Sequence, residues 1–287
     1  YVACDPVPAR WNGYYKGVSA TLENCYADWC ISQIAKELND KKGEQLFSER
    51  AKFYKNIFDA EIGYFRGKYK NGDWIPWEGE LVFKQGNIES NPLQQMWFVP
   101  HDIPGLKSLI GEDRFLSELE NMFDRTPADF PFNEFYNHAN EPVHHVPYLF
   151  NYTTKPWLTQ KWVRTILENA YDVGPYGIMG NDDVGQMSAW YILSAMGFHP
   201  VCQGDNKYML GSPLFSKVEI KLDPNYYDGK TFKIIAINNS SENIYVQKVS
   251  LNGNELKRPY IFHDEITKDG ELVFEMGSSP NKELFIN

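Results

Sequence analysis

The periodicity of the chain changes at Pro213, and that change limits the folds open to it. Before Pro213, apolar residues recur at three- and four-residue spacing, the period of helices that bury one face. After it, short runs alternate apolar and polar residues between Asp228-Gly229, Asn252-Gly253 and Asp269-Gly270, the signature of strands joined by tight turns. The pattern predicts helices over 19–38, 44–60, 91–99, 112–124, 144–152, 159–171 and 183–196, the last stopped by Gly197. Residues 63–79 are rich in Gly, Trp and Pro and read as a long loop. Strands are expected over 216–222, 231–238, 244–251, 258–263 and 271–275, in a half-buried antiparallel sheet. The fold class is therefore mainly α, with residues 1–211 helical and 212–287 a β-rich unit. Helices in successive hairpins close into bundles or toroids, with long loops opening at one end.

The formal net charge of −10 disfavours nucleic acid, because a phosphate backbone requires Lys/Arg patches. No run of 18 apolar residues is present to cross a membrane as a helix. Cys25 and Cys30 fall on different faces of one helix, so with Cys4 and Cys202 they are read as buried free thiols. The opening YVACDPVPARW carries no leader-like segment and reads as internal to a longer chain.

Acidic and amide side chains cluster at loop-to-helix junctions. One cluster is Glu89-Ser90-Asn91, ahead of Gln94; a second is His138-Ala139-Asn140-Glu141, followed by His144-His145; a third is Asp182-Asp183. Each carboxylate could do no more than cap a helix, where an anion is favoured by the macrodipole. Zinc is disfavoured, since neither HExxH nor CxxC spacing occurs. Asn, Glu and Asp are hard oxygen donors and suit calcium assembled from separated loops. No GxSxG, P-loop or GxGxxG stands in the right context, and the Asp pair lacks a Ser or Cys partner. Paired carboxylates, a hard cation and many Trp and Tyr rings point to glycoside hydrolysis.

Four blocks carry a family resemblance: IESNPLQQMWFVPHD, HANEPVHHVPYLFNYTTKPWLTQKWVR, GNDDVGQMSAWYILSAMGFHPV and YMLGSPLFSKVEI. They resemble glycoside hydrolase family 92, as do SATLENCYADWCISQIAKEL and AINNSSENIYVQKVSLNG, so the likeness covers nearly the whole chain. The resemblance implies a calcium-dependent, inverting exo-α-mannosidase, most commonly α-1,2, acting on N-glycans or mannans in the periplasm or outside a bacterial cell. It implies an N-terminal β-sandwich, then an (α/α)6 toroid with a small β element at its end. This chain would be the C-terminal part, lacking the sandwich and the first toroid helices. Glu89 matches the general acid of the E-(small)-N-x-x-Q motif, and Asp183 matches the base of G-N-(D/E)-D, with Asp182 assisting. Asn140 and Glu141, with Asp183, fall where the family holds Ca2+; His138, Glu141 and Gln94 fall at sugar-contacting positions. His101 and Asp102 match motif letters without an implied role. An inverting pair stands roughly 6.5–9.5 Å apart to admit water. A truncated chain that keeps only a structural or carbohydrate-binding role is the competing expectation. A sugar phosphorylase is disfavoured, because the acidic pair stands where phosphate would need cations.

Overall fold

The structure, a computed structural model, describes residues 17–286 and comprises two compact units. The first holds residues 17–126 and 132–137; the second holds 127–131 and 138–286. Cys4 lies outside the described residues; Cys25 and Cys202 are buried free thiols, and Cys30 is half-buried.

In the first unit, α1 (Gly17–Glu37) packs on α2 (Lys41–Arg50). Val18, Leu22 and Cys25 are buried, Arg50 pairs with Asp28 at 2.9 Å, and Asp40 caps α2 through Gly43 N. The helix expected over 44–60 ends at Arg50. A 3-10 turn (Phe53–Ile57) follows, then a small hairpin of β1 (Phe58–Asp59) and β2 (Tyr64–Phe65). Asp59 steadies that hairpin: its carboxylate accepts from Glu61 N at 3.1 Å and from Arg66 at 2.9 Å. The helix expected over 91–99 shrinks to α3 (Pro92–Gln95). Val99, which precedes Pro100, lies outside the α region at φ −131°, so no helix continues through it. Two further helices are α4 (Ile103–Ile110), not anticipated, and α5 (Glu112–Asp124). Asp102 caps α4 ahead of Pro104, a start signal present in the sequence and overlooked.

In the second unit, α6 (Trp157–Asn169) and α7 (Gln186–Met196) are the principal helices, and Gly197 stops α7 in the left-handed conformation as expected. Residues expected as a helix over 144–152 form instead a 3-10 segment, Val146–Tyr152. β3 (Phe198–His199), β4 (Lys207–Leu210) and β9 (Tyr260–Phe262) make a small antiparallel sheet in the order β3-β4-β9. The larger sheet contains β5 (Lys217–Lys221), β6 (Thr231–Ile237), β7 (Tyr245–Leu251), β8 (Asn254–Glu255) and β10 (Gly270–Gly277), ordered β5-β6-β10-β7-β8. α8 (His263–Ile266) precedes β10. The sheet is not purely antiparallel: β10 runs parallel to β6 and antiparallel to β7. β6 and β7 run in opposite directions, so a strand inserted between them must run parallel to one. Alternation along a strand fixes its buried face but not its neighbours. Phe232, Ile234, Val249, Leu272 and Phe274 form the buried core. Arg164 on α6 joins helix to sheet, donating to Pro213 O, to Asn239 Oδ1 at 2.6 Å and to Ser240 O at 3.2 Å.

Candidate active site

Glu89 is an exposed residue at φ +53°, a conformation that a non-glycine side chain adopts only when its surroundings enforce it. Those surroundings are polar and buried. Ile88 N donates to Ser19 Oγ at 2.9 Å, and Ser19 Oγ donates to Gln95 Oε1 at 2.7 Å. Ser90 Oγ lies 2.9 Å from the same Gln95 oxygen. Gly86 O accepts from Val18 N and Ser19 N, satisfying two donors at the start of α1. Asn91 and Gln94 form a reciprocal capping box.

Gln94 was expected to contact sugar, but its amide is committed elsewhere. It is 3% exposed, Nε2 donates to Asn133 O at 2.8 Å and Phe135 O at 2.9 Å, and Oε1 accepts from Asn91 N. It therefore braces the Glu89 turn. Asn87, 1% exposed, has neither amide atom bonded to another described residue, a cost that a water or ligand atom would relieve. Composition gave no sign of it; only burial singles it out. His101 and Asp102 are structural: His101 Nε2 is 2.9 Å from Ala51 O, and Asp102 accepts from Tyr54 at 2.7 Å while capping α4.

The second unit presents the Asp pair. Asp182 accepts from Ser188 Oγ at 2.7 Å and Ser188 N at 3.0 Å, so the capping role expected of an Asp before α7 is real. The Ser188 hydroxyl, then its amide, holds the Asp182 carboxyl below its ordinary pKa. Asp183 is exposed, and its carboxylate takes no hydrogen bond from another described residue. Helix 183–196 was expected as one element; instead Asp183–Gly185 is a separate 3-10 turn, because Val184 (φ 54°) and Gly185 (φ 77°) are both left-handed. A β-branched residue in that region is strained. Gly180 brings this turn against the His138–Glu141 segment: a Cβ there would lie 2.6 Å from Ala139 O.

That segment combines a buried carboxylate oxygen with buried rings. Glu141 Oε1 is buried and accepts no hydrogen bond from another described residue. An unsatisfied hard oxygen such as Glu141 Oε1 suits a hard cation such as calcium. No group of three or more His, Cys, Asp or Glu among the described residues could hold a metal alone.

His138 was expected at the sugar. It is wholly buried, with Nε2 2.7 Å from Tyr171 Oη and its ring 4.4 Å from that of Trp190. Tyr171 in turn donates to Met187 O at 3.1 Å, so His138 supports the turn from beneath. His144 and His145 are likewise buried. Burial holds the histidines neutral: His138 well below its ordinary pKa, His144 down to about 4 and His199 to about 3. Beside the Asp182 cap, Tyr171, Ile178, Ser188, Tyr191 and Ile192 line an open cleft of about 520 Å³.

Comparison with known proteins adds an independent line. The family model described as the glycosyl hydrolase family 92 catalytic domain matches residues 1–278. A family GH92 alpha-mannosidase from Bacteroides thetaiotaomicron superimposes with a TM-score of 0.87 at 35% identity, covering 94% of this chain and 36% of its own. A family GH92 inverting mannosidase from Bacteroides thetaiotaomicron VPI-5482 gives 0.85 at 33%, covering 96% and 40%. An uncharacterized secreted glycosidase of Arthroderma benhamiae is 30% identical over 91% of this chain and 36% of its own length. The chain thus spans between 36% and 40% of these relatives.

Proposed function

Since the chain belongs to glycosyl hydrolase family 92, we propose that it carries the acid and base of an exo-acting, inverting α-mannosidase, most commonly α-1,2-specific, releasing mannose from N-glycans or mannans. The observation that carries this reading is a pair of exposed carboxylates on enforced left-handed turns. Glu89 is itself left-handed, and Asp183 directly precedes left-handed Val184. Strained, exposed polar residues on rigid supports are what a catalytic site requires.

In this mechanism Glu89 gives its proton to the departing glycosidic oxygen, and Asp183 takes a proton from the attacking water. An inverting mechanism of this kind needs room for a water molecule beside the sugar. Asp182 assists by holding the turn through Ser188. Gln94 and His138 act as supports rather than sugar contacts, while Asn140, Glu141 and Asp183 would hold calcium, with Glu141 also within the sugar-contacting set. Bound calcium supplies a hard Lewis acid for the sugar's vicinal hydroxyls. Residues 1–211 belong, on this reading, to an (α/α)6 toroid and 212–287 to its β-rich appendage. The relatives' greater length supports completion of the sugar site by a further β-sandwich domain, and a secreted relative supports an extracytoplasmic location. The 287-residue chain alone is accordingly expected to turn over α-mannosides weakly or not at all.

Leaving-group dependence tests the roles. In the full-length protein, Glu89→Gln should lower kcat about 10²–10⁴-fold on alkyl α-mannosides but little on α-mannosyl fluoride, which needs no protonation. Asp183→Asn should lower both. Equal loss on both substrates for Glu89→Gln would remove it from the acid role. A chelator should abolish activity, and added Ca2+ restore it.

A further inference from the structure

The link between the Asp183 turn and the buried histidines has no place in the acid–base reading, yet its geometry is specific. Gln186 opens α7, and its backbone N–H donates to Asp183 O, closing the turn. Its side-chain Nε2 lies 3.2 Å from His144 Nδ1. His144 is 1% exposed, and its Nε2 lies 2.9 Å from His138 O. A carbonyl can only accept, so Nε2 carries the ring proton, and in the neutral ring Nδ1 is left as the acceptor for Gln186. One helical turn on, Trp190 Nε1 donates to His144 O at 2.9 Å. The first two turns of α7 are therefore each tied to His144, three residues beyond Glu141.

We propose that Gln186 is a positioning residue for Asp183, with the buried His144 imidazole as the anchor against which it fixes the turn. The inference rests on Asp183 serving as the base. Asp183 has no side-chain hydrogen bond within the described protein to hold it, and its backbone passes through two left-handed residues before the helix. Its carboxylate direction is consequently set by the residue that closes the turn. Gln186 bonds Asp183 through its backbone and His144 through its side chain, so it transmits the position of the Asn140–Glu141 segment to the base. Its amide has no need to touch substrate.

The test is a double-mutant cycle in the full-length protein. Gln186→Leu keeps the volume and removes the donor; Gln186→Met serves if that variant fails to fold. Either should lower kcat about 10- to 100-fold with KM within about threefold, because misplacement by about an ångström costs that much. In the Asp183→Asn background the same substitution should cause no further loss, since its effect passes through Asp183. A crystal structure of the variant should show the Asp183 carboxylate displaced relative to Glu141. The proposal is overturned if kcat falls equally in both backgrounds, if KM alone rises, or if Asp183 has not moved. If Asp183→Asn by itself leaves kcat intact, the base assignment fails first, and that result is visible without the Gln186 variants.

Discussion

The two candidate catalytic turns are built in opposite ways. The Glu89 turn rests on neutral polar side chains that are themselves buried: Ser19, Ser90, Asn91, Gln94 and Gln95 are each less than 8% exposed. The Asp183 turn is exposed, and its order comes from one cap, one missing Cβ and a layer of rings below. Removing a buried amide therefore threatens the stability of the first unit, whereas disturbing the exposed turn threatens placement far more than folding. Two candidate catalytic carboxylates are thus positioned by different physical means in one chain.

The largest effect that would break this contrast is expected from Gly180→Ala. It forces a side chain onto Ala139 O at a residue of φ +83°, displacing the Asp pair. We expect kcat of the full-length protein to fall about 10²-fold with little change in melting temperature. A large melting loss at unchanged kcat would reverse the comparison. Next, Gln94→Leu strands several buried backbone groups. It should cost about 2–4 kcal/mol in denaturant unfolding, and an unchanged midpoint would remove Gln94 from the brace.

Acid sharpens the comparison further. Buried neutral histidines have folded pKa values below the unfolded value of about 6.5. The unfolded state therefore takes up protons first as pH falls, so their stabilisation is full above about pH 6.5. It declines below that and levels off near about 4 for His144 and about 3 for His199. Hydrogen exchange, corrected for intrinsic rates, should show protection of 138–199 falling across that window more steeply than that of 85–95, whose unit holds His101, also lowered by burial. Parallel loss in both segments would contradict the assignment. The smallest expected effect is from Val184→Asn, which relieves a β-branched left-handed residue and should stabilise by about 1 kcal/mol or less in a thermal melt.

Much of this molecule was legible before any coordinates. The helix of α1, the stop at Gly197 and the alternation of β6, β7 and β10 are local consequences of side-chain order, and each stands in the structure, although Ile31 and Ile34 of α1 are exposed. The acidic clusters were legible because short polar side chains beside glycine and before a helix mark a turn that must be capped. Illegible were Asn87, the Ser19–Gln95 pair and the Gln186–His144 link, whose meaning depends on burial and on partners up to 76 residues away.

By itself, then, the sequence determined which segments coil, which extend, and which carboxylates and amides lie near turns. Tertiary structure alone decided that His138 and Gln94 face inward, that Asp182 is spent on Ser188 while Asp183 is not, and that β10 enters between β6 and β7. The physical reason is range: periodicity and capping act within one turn of chain, but burial and hydrogen-bond partnership are set by residues the sequence places far apart.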